Sequence, residues 1–197
     1  MRTQNSEYTD YLVGNEARWK QILDVQRVYR GHLKSLSPGR VLDIGCGLGR
    51  HLWHLQQVTP SVGVDHNEHS VAIARSRQLN AFTPEDFHAS AEAQPESFDT
   101  LLLSHVLEHL SPDDAAQLLE EYLVYLRPGG RLISMTPQEK GYASDQTHVT
   151  FMDGTRMKQL AENARLQMER QYSFPFPRSF GRLFRYNEFV TVARKAA

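Results

Sequence analysis

Two imidazoles and a carboxylate stand close together in the segment "SHVLEHL", residues 104–110. His105, Glu108 and His109 are spaced i, i+3 and i+4, so on a helix they would share one face. His148, in the later segment "SDQTHVTF", adds a third imidazole. Imidazole and carboxylate are ligands for borderline divalent metals such as zinc, iron or manganese. A histidine that titrates near neutrality can also act as a general base, so both a metal site and a proton-transfer site are open.

A glycine-rich turn forms a second candidate site. The segment "VLDIGCGLGRHL" places Gly45, Gly47 and Gly49 after an apolar run and before a helical pattern. Glycine permits positive φ and close approach of a ligand to the backbone, so we expect a ligand at this turn. The dinucleotide fingerprint needs its last glycine one place later, where the sequence has Arg50. A ligand without a pyrophosphate is therefore favoured.

Asp65 follows the next apolar run, 20 residues after Gly45. A carboxylate at this point can accept hydrogen bonds from both hydroxyls of a ribose, which indicates an adenosine-like ligand. A cap of the following helix is the alternative role, with Asn67 and Ser70 as competitors for it. Cys46 is the single cysteine, so it excludes an internal disulfide and a multi-cysteine zinc site. Its place among the glycines indicates a need for a small side chain rather than a nucleophile.

Short apolar runs alternate with helical patterns from Val41 onward, which predicts a parallel sheet covered by helices. Ser111 and Pro112 mark the start of one helix as its N-cap and first residue. The predicted strands are "RVLDI", "SVGVD", "FHAS" (87–90), "FDTLLLS", "RLISM", "LQMERQYSF" and "YNEFVTVARK", and the predicted helices cover residues 49–57, 68–79, 111–126 and 154–164.

The first 36 residues form a separate helical segment by their apolar spacing, which ends at the "SPGR" turn. We expect residues 1–36 to be a lid that covers the cofactor with Tyr8, Tyr11 and Trp19, and residues 37–197 to be the single cofactor-binding domain. The formal net charge is -1, so no global field attracts nucleic acid or an anionic membrane, and any such contact must be local. Because no signal peptide and no run of about 18 apolar residues occurs, a cytoplasmic protein without a membrane span is expected.

Four segments carry a family resemblance over roughly residues 38–150: "VLDIGCGLGR", "GVDHNEHSVAIAR", "FDTLLLSHVLEHL" and "YLRPGGRLISMTP". Their order and approximate spacing resemble the class I S-adenosylmethionine-dependent methyltransferases. The resemblance implies an α/β, Rossmann-like, doubly wound sheet of seven strands with helices on both faces and the last strand antiparallel. "YNEFVTVARK" would be that last strand.

The resemblance also implies S-adenosylmethionine as the cofactor and a set of contacts for it. Asp65 would hold the ribose, and His66 would lie near the adenine. Many family members carry an acid in the loop after the third strand, where this chain has Ser90 and Ala91. Ser104, at the end of the fourth strand, is also expected at the cofactor. The residues expected around the methionine end are Asp43, Gly45, Cys46, Gly47 and Gly49.

The histidine segment is similar to two subgroups of these enzymes. It resembles the Glu-x-x-Glu-His plus distant His of the small-RNA 2′-O-methyltransferases, with His105 in place of the first acid, and the Glu-His of ubiquinone-biosynthetic O-methyltransferases. Some of these use a divalent metal, which would be held here by His105, Glu108, His109 and His148. The motif also occurs in members without a metal, where Glu108 and His109 organise the pocket and His148 or His109 is the base.

The segment "SFPFPRSFGRLFRYNEF", residues 173–189, combines aromatic side chains with arginines. It indicates a small-molecule acceptor with an apolar body and an anionic group, with a self-packed loop or a homodimer contact as alternatives. We therefore predict a methyltransferase that acts on oxygen, with nitrogen or carbon less favoured. The alternatives are a metal-assisted RNA 2′-O-methyltransferase, which the net charge does not favour, and a non-catalytic cofactor-binding scaffold.

Overall fold

The computed structural model describes residues 25–36 and 38–197. The chain divides into two compact units, of which the first ends at Ala93 and the second comprises Gln94–Ala197. Of the predicted N-terminal lid, residues 1–24 lie outside the described residues, and Val25–Ser35 form helix α1. Within the described ranges, no helix is long and apolar enough to cross a membrane.

In its described residues, the first unit contains three parallel strands in the order β3-β2-β1. Every residue of β1 and β2 is buried, which explains why both strands are continuous apolar runs. The register pairs Ile44 with Val64, so the chain leaves both strands at the same edge of the sheet. The elements are β1 (Val41–Ile44), α2 (Arg50–Leu55), β2 (Ser61–Val64), α3 (Glu68–Ser76), β3 (Ala81–Phe82) and α4 (Pro84–Ala89).

The prediction of a strand at "FHAS" is wrong. The third strand is instead Ala81–Phe82. The predicted segment lies in helix α4, with Ser90 as the C-cap of that helix. Thr83 caps this helix by accepting a hydrogen bond from the Asp86 amide at 3.2 Å, and Pro84 is its first residue. A side-chain cap, an N-terminal proline and acids in the first turn are strong helix signals. These helix signals outweigh the short apolar run from which the strand was predicted.

The second unit contains four strands in the order β4-β5-β7-β6. Strand β5 is parallel to β4, and β7 is antiparallel to both β5 and β6. The elements are β4 (Phe98–Ser104), α5 (Pro112–Leu123), β5 (Leu126–Pro137), α6 (Glu139–Tyr142), α7 (Gly154–Asn163), β6 (Leu166–Phe174) and β7 (Glu188–Lys195), with 3-10 turns at Leu107–His109 and Arg178–Arg182. The predicted seven-stranded sheet with an antiparallel last strand is thus confirmed.

Pairing around β5 brings two chain positions to one edge of the second unit. Ser104, the last residue of β4, pairs with Met135, and Pro137 pairs with Glu188, the first residue of β7. The residue after Ser104 therefore lies near the start of β7, although they are far apart in sequence. The predicted start of α5 is confirmed, because the Ser111 hydroxyl accepts a hydrogen bond from the Asp114 amide at 3.2 Å.

Candidate active site

The glycine turn after β1 is tied to β2 by its backbone. The amides of Gly45 and Cys46 both donate to the Val64 carbonyl, at 2.8 and 3.1 Å. Gly45, Gly47 and Gly49 have φ angles of 74, 52 and 79°, a region that side chains with a Cβ rarely occupy. A Cβ on Gly49 would collide with the Leu79 side chain, whereas a Cβ on Gly47 would meet nothing within 4 Å. The turn is therefore open above Gly47, where a ligand can approach the backbone.

Two acids, Asp43 and Asp65, lie beside this turn. Asp43 is 1% exposed, and its Oδ2 has no hydrogen-bond partner among the described residues. Burial, together with the charge of Asp65, raises the pKa of Asp43 to about 8. Asp65 accepts hydrogen bonds from the Gly47 amide at 2.7 Å and from the Asn67 amide at 2.9 Å. The turn and its acids are therefore suited to a ligand that carries positive charge.

The structure assigns the helix cap to Asn67 rather than to Asp65. The Asn67 side chain accepts a hydrogen bond from the Ser70 amide at 3.1 Å, at the start of α3. Asp65 lies two residues before that cap and instead connects the glycine turn to the end of β2. His66 follows it, with Nδ1 3.8 Å from Asp65 Oδ1 and a partly exposed side chain.

Cys46 presents only its backbone at the turn. Its side chain is buried in an apolar cluster, and a Cβ on Gly63 would lie 2.8 Å from its sulfur. Burial, and then the charges of Asp43 and Asp65, raise the pKa of the thiol well above its usual value. The thiol is therefore a packing group with no nucleophilic character.

The other residues predicted at the cofactor lie at the ends of elements. Ser90 ends α4, where its hydroxyl donates to the Phe87 carbonyl at 2.7 Å and accepts from the Glu92 amide at 3.2 Å. Ala91 follows it and is exposed. Ser104 is buried at the end of β4, in the second unit.

Three of the four predicted metal ligands come together in the second unit. One ligand atom each of Glu108, His109 and His148 lies within 4.8 Å of the others. The segment after β4 forms a single 3-10 turn rather than an α-helix. The Glu108 carbonyl accepts hydrogen bonds from the amides of Val149 and Thr150, at 2.7 and 3.0 Å, and so holds the His148 segment against this turn.

Hydrogen bonds fix the tautomers of the two clustered histidines. His148 Nδ1 lies 2.8 Å from the Tyr142 carbonyl, and His109 Nδ1 lies 3.3 Å from the Thr147 carbonyl. Because a carbonyl only accepts, each Nδ1 carries the proton and each Nε2 keeps a lone pair. Burial lowers the pKa of His109, so its imidazole is neutral at neutral pH. Each ring can therefore bind a metal or accept a proton.

His105 is held apart from this cluster by two acids. Its Nδ1 lies 3.1 Å from Glu108 Oε1, and its Nε2 lies 2.8 Å from Glu188 Oε1. Desolvation alone would lower the pKa of His105, but the carboxylates of Glu188 and Glu108 raise it to about 10. Both ring nitrogens then donate to carboxylates, which leaves no lone pair for a metal. Sequence analysis missed Glu188, whose only signal is an acid at the start of an apolar strand.

The fold and these sites define an α/β protein of the methyltransferase class, and the comparisons with known proteins agree. The chain belongs to the methyltransferase domain family, which matches residues 20–193. A solved S-adenosylmethionine-dependent methyltransferase from Thermotoga maritima, described as a possible histamine N-methyltransferase, has the same fold, with a TM-score of 0.69. The match covers 95% of this chain and 98% of that chain at 21% identity.

Curated relatives differ in what their names say they act on. A tRNA U34 carboxymethyltransferase from Idiomarina loihiensis is 32% identical over 157 residues, which is 74% of this chain and 46% of that protein. A ubiquinone biosynthesis O-methyltransferase from Paracidovorax citrulli is 30% identical over 125 residues, which is 58% of this chain and 52% of that protein. The chain spans about half the length of these relatives. The predicted membership of the S-adenosylmethionine-dependent methyltransferases is confirmed.

Proposed function

We propose that this chain binds S-adenosylmethionine at the glycine turn and transfers its methyl group to an oxygen of a small acceptor. The observation that carries the proposal is a buried Asp43 carboxyl oxygen without a hydrogen-bond partner in the part of the chain that the structure describes, with Asp65 close by, at a turn that is open above Gly47. The donor has cationic sulfonium and ammonium groups, which would attract Asp65 and favour the ionised form of Asp43. A dinucleotide would instead bring an anionic pyrophosphate to the same acids, and they would repel it.

The residues of the first unit divide between the two ends of the donor. Asp43 and the glycine-turn amides bind the methionine end, and Asp65 binds the ribose while it keeps its bonds to the turn. His66 contacts the adenine. Cys46 contributes its backbone alone because its side chain is in the core. The remaining residues of this unit assigned to the cofactor are Gly45, Gly49, Ser90 and Ala91.

The histidine cluster of the second unit supplies the proton transfer. The bound donor provides an activated methyl group and a neutral leaving group, so the protein must align the acceptor and remove its proton. The Nε2 lone pair of His148 or His109 takes the proton of an acceptor hydroxyl, and Glu108 orients the cluster. A carboxylate acceptor would need no base. A neutral, half-buried imidazole that can take a proton therefore favours a hydroxyl acceptor.

The acceptor class follows from charge and from the loop at residues 174–186. That loop combines exposed apolar and arginine side chains, which suits an acceptor with an apolar body and an anionic group. The formal net charge of -1 disfavours a large phosphate footprint, so a small molecule fits better than RNA.

The experiment that tests this function is calorimetric binding of S-adenosylhomocysteine, with NAD as the comparison ligand. We expect S-adenosylhomocysteine to bind and NAD not to bind. Asp65→Ala should weaken binding by about 1 to 3 kcal/mol, the range for a charge-assisted contact. The matched control is Glu85→Gln, an exposed acid on α4 that should leave binding unchanged. Equal affinity of Asp65→Ala and the natural protein would remove the ribose role.

A metal-assisted methyltransferase is the second candidate, because the cluster has the chemistry of a metal site. Glu108, His109 and His148 offer one oxygen and two nitrogens within 4.8 Å of one another. Each imidazole donates its other N–H to a backbone carbonyl, the usual outer contact of a metal-bound histidine. Such a ligand set suits zinc, iron or manganese, which would polarise the acceptor hydroxyl.

Metal analysis of protein purified without chelator separates the two candidates. A metal site predicts about one metal ion per chain, lost in His109→Ala/His148→Ala and kept in His69→Gln, an exposed histidine on α3. If a general base acts without a metal, the metal content should be near zero in all three proteins. Methyl-transfer activity should then be lost only in His109→Ala/His148→Ala.

A further inference from the structure

The loop at residues 174–186, between β6 and β7, exposes apolar side chains in one connected group. The ring of Phe176 lies 5.4 Å from that of Phe180 and 5.2 Å from that of Phe184, and Phe184 lies 5.6 Å from Tyr186. Phe176 and Phe180 are each 44% exposed, and Leu183 is 78% exposed. The rings therefore pack against one another, yet Phe176 and Phe180 remain partly exposed to solvent.

The protein itself holds this loop in its exposed position. The Phe176 amide donates to Asn187 Oδ1 at 2.9 Å, and Asn187 Nδ2 donates to the Pro177 carbonyl at 3.2 Å. Asn187 is fully buried, and it also donates to Gln138 Oε1 at 2.9 Å. A Cβ on Gly181 would collide with Gln138, so the loop backbone lies directly on this polar pair. Such fixed exposure is typical of a binding surface rather than of a loop that can bury its own rings.

The same loop carries positive charge. Residues 174–186 contain three arginines and no acid. Arg178 is paired with Glu139, whose charge also interacts with Arg182, and both Arg182 and Arg185 are exposed. The guanidinium of Arg185 lies 5.2 Å from the centre of the Tyr186 ring. Exposed apolar groups next to cations match the boundary of an anionic lipid bilayer, where side chains enter the acyl region and arginines bind phosphates.

We propose that residues 174–186 form a docking surface for an anionic lipid bilayer. Phe176, Phe180 and Leu183 enter the boundary between headgroups and acyl chains, and Arg182 and Arg185 bind the lipid phosphates. RNA fits this surface less well, because two arginines give a small phosphate footprint and the most exposed side chain, Leu183, has no ring on which a base can stack. The same loop is proposed above to contact the acceptor, but docking to a bilayer needs neither donor nor acceptor, so vesicle binding is tested independently of methyl transfer.

Vesicle flotation of the purified full chain tests the proposal, with vesicles of phosphatidylcholine alone or mixed with phosphatidylglycerol. We expect binding to the anionic vesicles at low salt, weaker binding at high salt, and little binding to phosphatidylcholine. Arg182→Gln/Arg185→Gln should reduce the partition coefficient about 30-fold, from the contribution of two basic residues near an anionic surface. Phe180→Ser/Leu183→Ser should reduce it roughly tenfold or more.

Two matched controls separate the loop from general surface effects. Lys158→Gln removes an exposed cation on α7, and Val58→Ser removes an exposed apolar side chain in the first unit. Both should bind vesicles like the natural protein. Circular dichroism and thermal unfolding establish that every variant is folded.

Three results would overturn the proposal. Folded natural protein that fails to float with anionic vesicles excludes a bilayer surface. Loop variants that bind like the natural protein show that another surface is responsible. If the same loop substitutions abolish a dimer seen by light scattering, or abolish binding of a short single-stranded RNA, while vesicle binding is absent, the occupant is a second copy of the chain or a nucleic acid.

Discussion

Replacing Asp43 by Asn should stabilise the ligand-free protein and weaken its cofactor binding. The pKa of Asp43 is about 8 in the folded state, against 3.8 for an exposed aspartate. Between these values the folded state keeps a proton that the unfolded state releases, so the stability contribution of Asp43 falls as pH rises. The loss is about 1.4 kcal/mol per pH unit, which amounts to about 4 kcal/mol between pH 3.8 and pH 7. Asn at position 43 does not titrate and avoids this loss.

Urea unfolding of both proteins between about pH 4.5 and pH 8.5 measures the effect. The difference in unfolding free energy between Asp43→Asn and the natural protein should grow steadily with pH up to pH 8 and then level off. Calorimetry should show weaker binding of S-adenosylhomocysteine to Asp43→Asn, because the variant has lost the charge that holds the ammonium group. Asp113→Asn, an exposed acid on α5, serves as the control. If the unfolding free energies of all three proteins change with pH in parallel, the raised pKa of a buried Asp43 is refuted. If Asp43→Asn binds S-adenosylhomocysteine as tightly as the natural protein does, the role of Asp43 at the methionine end is refuted.

Two further predictions concern the glycine turn. Gly49→Ala should destabilise the protein by about 2 to 4 kcal/mol, because it adds a collision with Leu79 to the cost of a positive φ. Gly47→Ala should cost only about 1 to 2 kcal/mol but should reduce S-adenosylhomocysteine binding, since its methyl group enters the opening. Equal losses of unfolding free energy in urea for Gly49→Ala and Gly47→Ala would contradict the predicted difference between them. The Cys46 thiol should react with a thiol reagent at pH 8 only after unfolding, and fast reaction of the native protein would show that it is accessible.

The glycine turn could be predicted from the sequence because its requirements are local. Positive φ angles at Gly45, Gly47 and Gly49 favour glycine over residues with a Cβ, and the burial of β1 requires the apolar run before them. The start of α5 is equally local, since Ser111 caps it with its own side chain. Such features are visible as residue types at fixed spacing.

The partners of His105 could not be predicted, because they depend on strand register. Glu108 is three residues away, but Glu188 is 83 residues away and reaches the ring only through the pairing of β7 with β5. The positive φ of His105 and the 3-10 turn after it also follow from this environment. The helical spacing therefore predicted that Glu108 and His109 lie close together, but it placed His105 with them and predicted an α-helix where the chain forms a 3-10 turn.

The two units handle buried negative charge in different ways, and the difference supports their proposed roles. In the second unit, Glu108 is fully buried and its carboxylate is matched by the His105 ring, a cation supplied by the chain itself. In the first unit, the neighbour that acts on Asp43 is a second acid, Asp65, which raises the cost of its charge further. Without a countercharge among the described residues, the Asp43 carboxyl keeps its proton up to about pH 8, so its place beside an open turn is best explained by a ligand whose cation stabilises the ionised form. The sulfonium and ammonium groups of the methyl donor meet that requirement, and binding of the donor should then stabilise the first unit most at the pH where Asp43 alone costs most.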